Sequence, residues 1–359
     1  MNTLVNTHPV DALLFLSFGG PERAEDVVPF LENVTRGRGI PRARLEVVGE
    51  HYFALGGRSP LNDLNREIIA HVETGLADRH RDLPVYFGNR NWHPMVEDTV
   101  EQMADDGIRN ALVFATSAWG GYSGCRQYHE DIARARRAVL DRGKIPPRLQ
   151  RLRQFHDHPR FIAAFARAVD EARCGLTDAG VDADLLFTAH SVPARADREA
   201  GPPALGGHLY SRQVRDSARL IRSGSSFGDA TDADVELVWQ SRSGPPSVPW
   251  LDPDICDHLR DRVRRGNRRP VVLCPVGFLS DHVEVMWDLD TEAREVADEL
   301  GIGFRRVATP GPTRQFAELV CDLVDEVVTG PTGVPETGDV RNFGSAVNGS
   351  PCAAGCCGA

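Results

Sequence analysis

The feature that most constrains this chain is the form of its apolar runs. Ala12-Leu-Leu-Phe-Leu-Ser17, Val85-Tyr-Phe-Gly88 and Ala111-Leu-Val-Phe-Ala-Thr116 are short and unbroken rather than alternating. A sheet with one wet face would show apolar and polar residues in turn, so these runs read as strands buried on both faces. Each leads into a stretch of helical spacing, ending near 34, 106 and 140, before Pro146-Pro147 breaks the pattern. The alternation then resumes. Helices over 160–174, 211–223, 254–265, 282–300 and 313–328 separate strands over 184–188, 235–239, 270–274 and 304–307. That order predicts an α/β chain with parallel sheets covered by helices.

The series falls into two similar halves, 1–155 and 156–330, and a length of 359 residues suits two domains. Residues 331–359 are rich in Gly, Pro, Ser and Ala and form a tail with no core of its own. A net charge of −10 argues against a general nucleic-acid or anionic-membrane surface. No run is long enough to span a membrane, and the run over 12–18 is too short for a signal peptide. A cytoplasmic protein is expected.

Ligands of such folds sit beyond the carboxyl ends of the strands. Two of those loops carry chemistry. Thr188-Ala-His190-Ser-Val-Pro193 places an imidazole directly after a buried strand, where it can accept a proton or bind a metal. Cys274-Pro-Val-Gly-Phe-Leu-Ser-Asp-His282 leads to Glu284, with Asp288 and Glu292 following at four-residue intervals. That spacing places three carboxylates along one helical face, oxygen ligands in a line for a hydrated divalent metal. No Walker-type phosphate loop and no tetrahedral zinc pattern is present.

Phe187-Thr-Ala-His-Ser-Val-Pro193 and Val276-Gly-Phe-Leu-Ser-Asp-His-Val-Glu284, with Trp287-Asp288 beyond, resemble the two signature segments of ferrochelatases. Leu16-Ser-Phe-Gly-Gly-Pro21, Gly56-Gly-Arg-Ser-Pro60 and Trp239-Gln-Ser-Arg-Ser-Gly244 fit as well, so the resemblance runs to about residue 328. It implies two Rossmann-like domains with a porphyrin cleft between them, and insertion of Fe²⁺ as substrate into the macrocycle. It implies His190 and Glu284 as the catalytic and metal-site pair, with Asp288 and Glu292 as an outer metal or proton route. Ser59 and Tyr128 match positions that resemble propionate contacts, Arg36 and Arg38 suit carboxylates, and Phe18 stands in the first loop against the porphyrin. Some family members have a tyrosine there that can face the metal; phenylalanine cannot ligate it. The match is closer to the bacterial branch acting on four-carboxylate coproporphyrin III than to the branch acting on protoporphyrin IX. The fold and the pair alone would also allow a cobalt or nickel tetrapyrrole chelatase, or a non-catalytic haem or iron carrier. A downstream haem-pathway enzyme is the expected partner.

Of eight cysteines, three crowd the end of the chain as Cys352, Cys356 and Cys357. A reducing cytoplasm argues against disulfides. Adjacent cysteines strain as ligands of one ion, whereas the two irons of a [2Fe-2S] cluster can each take one. Several ferrochelatases carry such a cluster on three C-terminal ligands and one internal ligand. The resemblance favours Cys174 as the internal one, ahead of Cys125.

Overall fold

The computed structural model describes residues 9–176, 182–244, 247–330 and 337–358. The first half runs β1 (Ala12–Ser17), α1 (Val27–Val34), α2 (Arg42–Ala54), α3 (Leu61–Asp78), β2 (Val85–Asn89), α4 (Val96–Asp105), β3 (Asn110–Ala115), α5 (Gln127–Asp141) and β4 (Arg148–Arg151). The second half begins α6 (Pro159–Leu176), β5 (Asp184–His190), α7 (Ala194–Arg198), α8 (Leu209–Ser223) and β6 (Glu236–Gln240). It continues α9 (Ile255–Arg264), β7 (Val271–Cys274), α10 (Val283–Val285), α11 (Ala293–Leu300), β8 (Phe304–Arg306) and α12 (Arg314–Val328). Each half builds one four-stranded parallel sheet, ordered β2-β1-β3-β4 and β6-β5-β7-β8. The second sheet thus repeats the first strand for strand.

The unbroken apolar runs follow from cores on both faces of each sheet. Successive side chains of a strand point to opposite faces. In β1, Leu13 and Phe15 enter one core while Ala12, Leu14 and Leu16 enter another. In β7, Val272 and Cys274 join the first of these, and Val271 and Leu273 face a third. The first core is common to both halves, joining Phe15 and Phe114 to Phe187, Ala189 and Phe316. Helix α12 packs on α3 of the first half and α6 of the second. Arg79 of the first half ties it down through Glu318, Asp322 and Asp325.

Four elements lie outside the sequence expectation: α2, α3, β4 and the short α7. Helix α3 is amphipathic, burying Leu61, Ile68, Ile69, Val72 and Leu76. Strand β4 reads Arg-Leu-Gln-Arg, too polar to look buried, yet Arg151 is only 1% exposed. Two of its three guanidinium nitrogens find partners inside, Nη1 donating to the Cys125 carbonyl at 2.9 Å and Nη2 to the Gly124 carbonyl at 3.4 Å, while Nε has none among the described residues.

The described part of the tail is ordered by backbone pairing rather than by apolar packing. It runs along the open edge of β4: Gln154 N donates to Phe343 O (2.8 Å), Arg151 N to Ala346 O (2.9 Å) and Asn348 N to Leu149 O (2.7 Å). Before that, Asn342 and Gly338 donate to the buried Asp157 at 2.7 and 3.0 Å. Beyond it, Cys357 N reaches Gly201 O of the second half at 3.3 Å. Residues 331–336 and 359 of the tail lie outside the described residues.

Candidate active site

Strand order locates the site. Where consecutive connections leave a parallel sheet in opposite directions, a crevice opens at the strands' carboxyl ends. In the second sheet that point lies between β5 and β7. His190 is the last residue of β5, and Glu284 lies in α10 just after the loop leaving β7. The loop is drawn onto β5 at Gly277, whose N–H donates to Thr188 O at 3.1 Å. A Cβ at Gly277 would stand 2.5 Å from Ala189 Cβ and 2.6 Å from its Cα, so only glycine allows this approach. The result is His190 Nε2 at 3.6 Å from Glu284 Oε2. His190 Nδ1 donates to the Ser191 carbonyl, and Tyr210 OH donates to His190 O at 2.8 Å. The ring is fixed with Nε2 toward the carboxylate.

Burial disfavours a charged imidazole, but the Glu284 carboxylate outweighs it and lifts the His190 pKa to about 9. Burial likewise works against the Glu284 anion, yet His190 and His282 hold that carboxyl below the usual range. The resting pair is therefore an imidazolium–carboxylate pair. Asp288 behaves oppositely. Burial, then the neighbouring Glu284 charge and that of Glu292, push it up to about 7 against the hydrogen bonds it accepts. Those bonds come from Ser241 Oγ and, at 3.3 Å, Gln240 Nε2. Three carboxylates thus lie within electrostatic reach, the middle one poised to change charge near neutrality.

Asp288 and Glu292 are carried by a π-helical turn, Met286–Glu292, a geometry that gathers at functional sites. Arg306 of β8 clamps it. Its guanidinium donates to Asp281 at 2.9 and 3.0 Å and to Asp290 at 2.7 and 2.8 Å, tying the incoming loop to the turn. Sequence reasoning missed Arg306; an arginine ending a short strand gave no sign of its partners. From the first half, α2 reaches across. The His51 ring stacks on Trp287 with centroids 4.2 Å apart and planes within 9°, while Trp287 Nε1 donates to Glu292 Oε1 at 2.9 Å. Burial, with the Glu284 charge behind it, raises the pKa of Tyr52, the next residue on α2.

At the matching switch point of the first sheet, between β1 and β3, Phe18 is half-exposed and packs edge-on against Phe30 at 6.3 Å. Arg90 lies 5.9 Å from the Phe18 ring centre and 4.3 Å from that of Tyr128. Tyr128 itself is buried, its hydroxyl 3.2 Å from Thr116 Oγ1. Ser59 is buried too, its Oγ accepting from Leu61 N at 3.4 Å. Arg36 and Arg38 are exposed on the segment after α1. The structure therefore brings Phe18 and Tyr128 together around Arg90, and turns the Ser59 and Tyr128 hydroxyls inward.

The thiols call for a correction. Cys174 is exposed near the end of α6, which runs back to the amino ends of the second sheet, away from His190. Helix direction, invisible in a residue count, separates it from the tail. Cys125, rather than Cys174, lies beside the tail thiols. It sits buried in a π-helical turn, Tyr122–Arg126, and shares a hydrogen bond with Cys352. Cys352 and Cys356 sulfurs are 3.5 Å apart, and those of Cys356 and Cys357 3.7 Å. Hydrogen bonds from neighbouring thiols push Cys352 and Cys357 toward the thiolate, while Cys125 and Cys356 keep their protons. Arg151 Nη1 donates to Cys125 Sγ at 3.0 Å, and Gly201 N to Cys357 Sγ at 3.4 Å. Among the described residues no group of three or more His, Cys, Asp or Glu side chains is arranged around a single metal ion.

Twin parallel sheets, with an imidazole–carboxylate pair at one switch point and a row of carboxylates leading from it, define a chelatase-type α/β protein. The solved structure of SirB from Bacillus subtilis with Fe³⁺ shares the fold, with a TM-score of 0.53 at 12% identity over 93% of this chain and all of that one. The sequence model of the ferrochelatase family matches residues 10–328. The coproporphyrin III ferrochelatase of Nocardia farcinica is 60% identical over 349 residues, 97% of this chain and 96% of that protein. That of Mycolicibacterium smegmatis is 55% identical over 96% of this chain and 98% of its own. The chain belongs to the ferrochelatase family, and it is a metal-inserting enzyme.

Proposed function

We propose that this enzyme inserts Fe²⁺ into coproporphyrin III, with His190 as proton acceptor and Glu284 as the inner metal contact. The observation that carries this is the His190–Glu284 pair at 3.6 Å with Asp288 electrostatically coupled behind it. Metallation takes two pyrrole protons from the porphyrin as the dication enters. In the resting pair His190 Nε2 holds a proton because Glu284 is anionic. An Fe²⁺ ion arriving along Glu292 and Asp288 cancels that charge. Burial then dominates, the imidazolium passes its proton to Asp288, and the freed Nε2 takes the two pyrrole protons in turn, handing the first on to Asp288 before accepting the second. Asp288, titrating near 7, passes protons outward at neutral pH. Phe18 and its aromatic neighbours offer an apolar face to the macrocycle, and Arg36 and Arg38 offer charge to its carboxylates. The choice of coproporphyrin III rests on the names of relatives 51–60% identical across nearly the whole chain. An anaerobic assay offering Fe²⁺ with coproporphyrin III and with protoporphyrin IX tests it. Preferred turnover of protoporphyrin IX would overturn the substrate, and no turnover of either the whole proposal.

Cys125, Cys352, Cys356 and Cys357 suit a [2Fe-2S] cluster, with thiolate character already on two of them and an N–H donor aimed at two of the sulfurs. Bound there, the cluster would supply one-electron chemistry. Protein prepared anaerobically should be coloured and contain iron and acid-labile sulfide. Cys125→Ser should lose both and Cys174→Ser neither, and a colourless wild type would overturn the assignment. A cytoplasmic location and hand-over to a downstream haem-pathway enzyme complete the proposal. Among the described residues no helix is long and apolar enough to cross a membrane.

A further inference from the structure

Trp287 uses both its edge and its face. The edge donates to Glu292 Oε1 at 2.9 Å, and the face stacks on His51 from the other half of the molecule, 4.2 Å away and within 9° of parallel. The π-helical turn makes the first contact possible. In an α-helix, residues five apart lie roughly 140° around the axis. Met286–Glu292 instead follows i→i+5 geometry, which sets residue 287 beside residue 292. Glu292 is an exposed side chain free to swing, and the indole holds one of its oxygens while leaving Oε2 without a hydrogen-bond partner among the described residues. His51 is placed by α2, which rests with α1 on a small separate core of Val27, Phe30, Leu31 and Leu45.

We propose that Trp287 is a positioning residue for metal entry, aiming the outer carboxylate Glu292, and that His51 holds the indole in place by stacking on it from α2. The metal path is then assembled from both halves of the chain, although all its carboxylates belong to one. The inference rests on the assignment of Glu284, Asp288 and Glu292 as the metal route.

The test is anaerobic steady-state metallation by the full chain, varying Fe²⁺ at saturating porphyrin and the reverse. Trp287→Phe keeps a ring for His51 and removes the N–H. It should raise KM for Fe²⁺ about three- to tenfold, the effect of one charge-assisted hydrogen bond at a partly exposed site. KM for porphyrin and the thermal melting profile should not move. Trp287→Phe with Glu292→Gln should be no worse than Glu292→Gln alone. His51→Ala should reproduce the Trp287→Phe effect, and His51→Phe should reverse it by restoring the stack. Multiplying effects in the double variant, or an unchanged KM for Fe²⁺ in Trp287→Phe, overturn the role of Trp287. Failure of His51→Phe to rescue overturns the role of His51. An unchanged KM for Fe²⁺ in Glu292→Gln alone overturns the metal route itself, and this inference with it.

Discussion

Replacing Glu284 by glutamine keeps the shape of the His190 pair and removes its charge. Opposite unit charges 3.6 Å apart attract by about 1 kcal/mol at the dielectric of water and about 5 kcal/mol at an effective value near 20. Solvent reaches 35% of the His190 side chain and 46% of Glu284, so screening favours the lower part of that range. Roughly 2 kcal/mol is a fair figure. One pH unit corresponds to about 1.4 kcal/mol. His190 should therefore titrate at least one unit lower in Glu284→Gln, the remaining burial pushing the same way. Its midpoint of about 9 should fall to roughly 7.5 or below. Imidazole carbon NMR across pH 5–10 reads this directly, with His190→Asn identifying the signal. The stability consequence has a definite sign. His190 is more basic folded than its ordinary 6.5, so its share of the pairing is full below 6.5 and is lost as pH rises through about 9. Glu284 is more acidic folded than its ordinary 4.5, so its share is lost as pH falls through that lowered value. Urea unfolding should show the widest gap between wild type and Glu284→Gln in between, closing above pH 9. A wild-type midpoint near 6.5, or one unmoved by the substitution, would refute the electrostatic account of the pair.

Other outcomes follow from the surrounding geometry. Arg306→Met strands the Asp281 and Asp290 carboxylates and should cost about 2–4 kcal/mol in denaturant unfolding, with metallation reduced as well. Gly277→Ala forces the loop off β5 at Ala189 and should destabilise by about 1–3 kcal/mol while lowering kcat, since it moves Glu284 away from His190. Asp288→Asn removes the group titrating near 7. In wild type, KM for Fe²⁺ should climb as pH drops below 7 and Asp288 takes up its proton, and in Asp288→Asn that dependence should flatten.

The sites at strand ends were legible because burial on both faces writes itself into the sequence as unbroken runs. The pattern points to the strand ends that hold His190, which proves to be the last residue of β5, and Glu284, which lies in α10 just beyond the loop after β7. The pattern fails where burial is achieved by hydrogen bonding. Strand β4 was hidden because Arg148, Gln150 and Arg151 look solvent-facing, and only the partners of Arg151, remote in sequence, explain its burial. Arg306 was hidden for the same reason. Cys174 illustrates a second limit: closeness to His190 along the chain says nothing when strand β5 carries the chain from the amino end of the sheet to its carboxyl end. The partners of the Tyr128 and Ser59 hydroxyls, Thr116 and the Leu61 backbone, are likewise not readable from the sequence.

The pairing of residues 343–348 with β4 also has a consequence for how the polypeptide is made. β4 is synthesised long before its partner, and until then the first sheet offers the N–H groups of Arg151 and Gln154 and the carbonyl of Leu149 unpaired at its rim. A nascent chain on the ribosome, or one released early, carries that rim as a template for pairing with another molecule. Translation past residue 348 is what shields it. Loss of the tail should therefore show first as insolubility of newly made protein, at a stage when both sheets are already complete.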